Sequence, residues 1–200
     1  MHDTLDQTSA HRPESNARGA SGQSLSAGWF EGLAIVNLRG DPDDGSFREE
    51  VSRALGLELP VAPCTSVANG DLRIVWAGPD EWFVIGARGE AAAIAKRIRG
   101  AVAGMHHAVT DVSSGYSVLH LSGAAVRGVL AQGCPIDLHS RSFKPGASAG
   151  THYFKASIIV WQTAEAPIFE VLVRRSFMGY VWLMLQLGTQ ECGLIPCHSA

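Results

Sequence analysis

Two hundred residues, 46% hydrophobic and 18% charged, suffice for one compact domain with a real core and leave no room for a second full one. A net charge of −3, with Lys and Arg scattered rather than massed, argues against a polyanionic partner such as nucleic acid. The most apolar runs, 157–161 and 180–187, are far shorter than the roughly 20 residues that cross a bilayer, which argues against a membrane protein.

Residues 1–28 are rich in Ser, Gly, Asn, Gln and Asp, with Leu5 and Leu25 the large aliphatics after the initiator Met. Such a segment buries too little to offset the entropy of ordering, so a disordered tail is expected, followed by a single domain over 29–193 and a second tail over 194–200. The aliphatic run 33–38 closes at Gly40 and the turn-rich 41–45, which predicts a strand and a break. Phe47, Val51, Ala54 and Leu55 then recur at helical spacing, with Ser46 as the expected N-cap, Glu49 completing a capping box and Gly56 ending the helix. Strands over 72–76 and 82–85 flank Gly78, Pro79, Asp80 and Glu81, a hairpin whose loop is expected to be longer than the tightest turns.

The Ala-rich stretch 90–102 predicts a second helix, with Ile94 and Ile98 one turn apart and Lys96, Arg97 and Arg99 near the end that favours cations. A strand pair over 108–112 and 116–121 follows, then a helix over 124–131 ending at Gly133. Three more strands are predicted over 149–154, 157–162 and 168–173, and a last helix over 177–187 with Ser176 as its N-cap. Strands arriving in hairpin pairs with helices between them make an α+β fold, a largely antiparallel sheet covered on one face by helices.

Chemistry-bearing patterns are sparse. No Walker loop or dinucleotide fingerprint opens a strand-to-helix turn, so a nucleotide cofactor held wholly by this chain is disfavoured, and Gly70, Gly78, Gly86 and Gly89 read as turn residues. Met1, His2 and Asp3 begin no secretory signal, which places the chain in the cytoplasm and makes Cys64, Cys134, Cys192 and Cys197 reduced thiols. Cys192, Cys197 and His198 are zinc-type donors but lack a fourth ligand and sit in the last residues. His106 and His107, adjacent in a predicted strand, point to opposite faces. Asp111 could serve as a general base, but beside Ser113 and Ser114 a turn cap is the better reading. Cys134 reads as a small buried hydrophobe rather than a reactive thiol. Trp76, Trp82, Trp161 and Trp182 read as core or as interface anchors. The last helix has almost no polar face, so it is either buried all round or docked on another chain.

Several segments, in this order, resemble the gamma subunit family of heterotetrameric sarcosine oxidase: 76–82 with Trp76, Asp80, Glu81 and Trp82; 110–113 with Asp111 and Ser113; 119–123; 133–139 with Cys134 and Asp137; and Arg175, Ser176 and Phe177 followed by Tyr180 and Trp182. The likeness runs over about 29–193. It implies an accessory, non-catalytic chain in a bacterial complex with alpha, beta and delta subunits. That complex oxidatively demethylates sarcosine to glycine, releases hydrogen peroxide and yields methylene-tetrahydrofolate when tetrahydrofolate is present. FAD, FMN, NAD and tetrahydrofolate are then expected in the partner subunits, with no cofactor, metal or catalytic residue on this chain and no activity from it alone. Arg175, Phe177, Tyr180 and Trp182 are the candidate subunit interface. The run from Asp111 to Gly123 is also similar to the folate-binding fold of glycine-cleavage T-protein, which leaves a stand-alone folate-dependent one-carbon enzyme or folate-binding protein as the alternative.

Overall fold

A computed structural model describes residues 11–19, 24–191 and 194–197, with side chains over 24–190. In chain order the elements are β1 (His11–Gly19), β2 (Ser24–Phe30), β3 (Ala34–Gly40), α1 (Gly45–Leu55), β4 (Ser66–Asn69), β5 (Leu72–Gly78) and β6 (Glu81–Gly86). They continue with α2 (Ala91–Ala101), β7 (His107–Asp111), β8 (Tyr116–Ser122), α3 (Val126–Ala131), β9 (Ser148–Tyr153), β10 (Ala156–Ala164), β11 (Ile168–Arg174), α4 (Met178–Glu191) and β12 (Leu194–Cys197).

The expected α+β class holds, but the antiparallel strands form two sheets in two compact units rather than one sheet in one domain. The first unit, residues 32–114, is a split β-α-β arrangement with strand order β4-β5-β6-β3-β7, and α1 and α2 cover one face. Helix α1 presents Phe47, Val51 and Leu55 to the sheet, and α2 presents Ile94, Ala95 and Ile98, so both bury one stripe at helical spacing. The start of α1 differs from the expectation. Asp44 is the cap, its Oδ1 accepting from the backbone N–H groups of Ser46 and Phe47, while Ser46 lies inside the first turn. Gly56 ends the helix at φ 68°, where its lack of a Cβ removes the left-handed penalty, and its N–H closes onto the Ser52 carbonyl.

The second unit, residues 11–31 with 115–197, is a seven-stranded sheet in the order β12-β1-β2-β8-β11-β10-β9. One face carries Leu25, Ala27, Leu119, Leu121, Phe169, Val171 and Ile158 under α3 and α4. The tail expected to reach Gly28 is corrected here: β2 lies between β1 and β8, with Leu25 and Ala27 buried. A strand between two others has its backbone groups paired by its neighbours, so the few buried side chains Leu25, Ala27 and Phe30 are enough to seat it, which average composition cannot reveal. The expected C-terminal tail is likewise corrected where residues 194–197 pair with β1. The expected disorder of residues 1–10 lies outside the described residues.

Candidate functional site

The turn between β5 and β6 is tighter than expected, because Gly78 pairs with Glu81 and a register shift after Trp76 absorbs the extra residue. Each polar residue of the turn is engaged in holding β3. Asp80 takes Arg39 Nη2 at 2.8 and 3.0 Å, a contact that holds the Arg39 guanidinium above its ordinary pKa, and Glu81 Oε1 accepts from Asn37 Nδ2 at 2.8 Å. Trp82 is fully buried against Phe47 and donates its indole N–H to the Pro60 carbonyl at 2.7 Å, while Trp76, opposite it in the hairpin, is half-buried. An open cleft of about 500 Å³ beside this turn is lined by Arg39, Asp41, Asp80, His106 and His107. Arg39 is already held by Asp80 there, and His107 Nδ1 lies 3.0 Å from the Met105 carbonyl. His106 falls just before β7 rather than inside it, because the chain is still turning out of α2.

Asp111 is a turn cap. Its Oδ1 accepts from Ser113 Oγ at 2.6 Å and from Ser113 N at 3.0 Å, and these two hydrogen bonds pull its pKa below the ordinary value. Ser113 Oγ in turn accepts from Ile35 N at 2.9 Å, which fixes the end of β7 to β3. Asp137 repeats the device in the second unit, taking Ser142 Oγ at 2.6 Å and His139 N at 2.9 Å, again with a lowered pKa. Cys134 is buried, and burial pushes its thiol up to about 12, far from a nucleophile's range.

Two polar clusters were not singled out in the sequence. Arg127 donates to the carbonyls of Leu138 and Phe143 and to Gln162 Oε1, with its guanidinium 5.0 Å from the centre of the Phe169 ring. It therefore pins the loop 132–147 to the sheet. Glu170, buried beside Trp161, accepts the indole N–H at 2.8 Å. The two are cross-strand partners, so only the register of β10 on β11 could have joined them. Among the described residues no group of three or more His, Cys, Asp or Glu side chains could hold a metal ion, and the Cys192, Cys197 and His198 side chains lie outside them. Among the same residues no helix is long and apolar enough to cross a membrane.

The interface candidates converge on α4 and the turn before it. Arg175 and Phe177 face solvent, Tyr180 is half-buried, and Trp182 packs edge-on against Trp29 with ring centres 5.0 Å apart. Val181 and Leu185 point into the core, while Leu183 and Leu187 on the other side are 50% and 45% exposed. Apart from Arg175, the candidates thus present a largely apolar surface.

The model of the Sarcosine oxidase, gamma subunit family matches residues 39–191. The chain belongs to that family. Sarcosine oxidase subunit gamma of Corynebacterium sp. (strain P-1) is 30% identical over 179 residues, 87% of this chain and 85% of the relative. The subunit of the same name from Arthrobacter sp is 31% identical over 178 residues, with the same coverage. A chain in the structure of heterotetrameric sarcosine oxidase from Corynebacterium sp. U-96 in complex with pyrrole 2-carboxylate shares the fold, at a TM-score of 0.80 and 24% identity over 92% of this chain and 91% of that one. The glycine cleavage system aminomethyltransferase T from Bartonella henselae has a related fold at a TM-score of 0.56 and 14% identity. The match takes in 76% of this chain but 43% of the transferase, so likeness of fold does not favour the stand-alone folate enzyme over the gamma subunit family.

Proposed function

We propose that this gamma-family chain serves as a structural, non-catalytic subunit of a cytoplasmic heterotetrameric sarcosine oxidase, beside alpha, beta and delta subunits. The assembled enzyme oxidatively demethylates sarcosine to glycine, releases hydrogen peroxide and, with tetrahydrofolate, forms methylene-tetrahydrofolate. FAD, FMN, NAD and tetrahydrofolate are bound by the partners in this reading, and this chain binds none of them.

The observation that carries the reading is how the family-motif carboxylates are used. Asp80, Glu81, Asp111 and Asp137 are each committed to a hydrogen bond or ion pair that holds a turn or strand. A general acid or base needs a free lone pair or proton aimed at substrate, and these groups bind side chains and backbone N–H groups of the chain's own turns and strands instead. The test is purification of the full chain alone and co-expressed with the other subunits of the oxidase. Expected are a colourless isolated chain that makes no peroxide from sarcosine, and its recovery in the complex at one copy per assembly. Stoichiometric flavin absorbance or peroxide production by the isolated chain overturns the reading.

A further inference from the structure

Helix α4 has apolar residues on both sides and carries no charged side chain from Met178 to Gln190. Its inner side, Val181 and Leu185, fills the core of the second unit. Its outer side continues from Phe177, 42% exposed, through Leu183 and Leu187, and such a row is not explained by the fold of the chain itself.

The tip of the β9–β10 hairpin adds a second, independent feature. Tyr153 pairs with Ala156, leaving Phe154 and Lys155 as a two-residue turn, and Phe154 sits at φ 50°, in the left-handed region. An aromatic residue there costs on the order of 1 kcal/mol that glycine would not. Yet the Phe154 ring, edge-on to Tyr153, is 39% exposed. The fold thus tolerates strain to present an aromatic ring that it covers only in part. Two neighbouring residues tie this tip to α4: Gln132 Nε2 donates to the Gly188 carbonyl at 3.1 Å, and the Gly133 carbonyl accepts from Phe154 N at 3.0 Å.

Charge narrows the choice of occupant. Although the chain carries −3, the described residues of the second unit hold eight cations against six carboxylates, one of which, Glu170, is buried. Exposed Arg175 and Lys155 stand at the helix start and at the hairpin tip. A second copy of the chain would bring cation against cation, whereas a different protein with acidic residues around an apolar surface would complement both features.

We propose that the outer row of α4 and the Phe154 hairpin tip form one docking surface for a larger subunit of the oxidase, whose matching face is apolar and bordered by carboxylates. This rests on the reading of the chain as an oxidase subunit. Phe154 and Leu183 are the anchors, and Arg175 and Lys155 set orientation and the rate of encounter.

Three full-length variants test the surface: Phe154→Gly, Leu183→Asp and Arg175→Glu, each co-expressed with the other oxidase subunits and also melted alone. Phe154→Gly relieves the strain but gives up the ring's packing on Tyr153, so it is expected to melt within a few degrees of the unaltered chain while binding the complex at least tenfold more weakly. Leu183→Asp is expected to lose at least tenfold in binding with unchanged melting, and Arg175→Glu to weaken assembly more at low than at high salt. If all three variants enter the complex as the unaltered chain does, this surface is not the interface, though the subunit reading stands. Should the unaltered chain itself fail to co-purify, the subunit reading falls, and the docking proposal with it. A homodimer that these substitutions disrupt while the complex stays intact overturns the proposal in favour of self-association.

Discussion

Arg127 joins α3 to the loop 132–147 and to β10. Its guanidinium serves two carbonyls and one side-chain amide at once, and removing it leaves those partly buried acceptors without a donor. Arg127→Ala is expected to cost about 3 kcal/mol, and Arg127→Lys most of that, because an ammonium cannot span acceptors that a planar fork reaches. Denaturant unfolding of both variants measures it. Cys134, with its thiol held near 12, is expected to resist alkylation of the native chain at neutral pH while exposed Cys64 reacts, a contrast that peptide mass mapping reads directly.

Asp111 and Asp137 also have a consequence in pH. Both are lowered below 3.8 by hydrogen bonds, from Ser113 and Ser142 foremost. A group depressed on folding stabilises the folded chain above its unfolded value, and that contribution disappears as pH falls through the folded value. The Asp111→Asn and Asp137→Asn double variant is therefore expected to show a shallower fall in melting temperature than the unaltered chain below about pH 4. Melts between pH 6 and pH 2 decide it, and equal slopes would count against both assignments.

At the scale of elements, the start of α1 shows how close sequence reading came and what separated it from the structure. Asp44 and Ser46 are both good capping residues, two positions apart, and only the extended backbone at Asp44 decides between them. Asp44→Ala is expected to cost about 1 kcal/mol and Ser46→Ala less than about 0.5 kcal/mol. Thermal melts of the two variants test the choice, and the reverse order would return the cap to Ser46. The β5–β6 hairpin makes the same point, since a strand pair was legible from two apolar runs around a Gly-Pro-Asp-Glu turn, whereas the two-residue loop depends on a register shift beside Trp76.

At the scale of the whole molecule, β2 joins β1 and β12 to the rest of the seven-stranded sheet, with Leu25 and Ala27 in the core. A chain beginning after Gly28 loses all of β1 and most of β2, and with them the pairing partner of β12, so it is expected to unfold at markedly lower temperature or with broken cooperativity. Calorimetry of the truncated protein checks this, and a transition matching the full chain would show that the N-terminal strands add nothing. The α4 surface belongs to this scale as well: its apolar residues were visible in sequence, but which of them point outward was not, and Trp182, expected as an anchor, packs on Trp29.

By itself the sequence determined the class, the order of nearly all elements between Leu33 and Leu187, the family and the turn-capping use of Asp111. All of these rest on local signals, meaning hydrophobic period, caps, turn residues and short ordered motifs. Tertiary structure alone decided that there are two sheets, that residues 24–30 are a central strand, that Arg127 ties the loop 132–147 to the sheet and that Glu170 meets Trp161. These depend on which distant segments share hydrogen bonds and in what register, and a one-residue slip of a strand would turn Leu25, Trp161 or Glu170 to the other face.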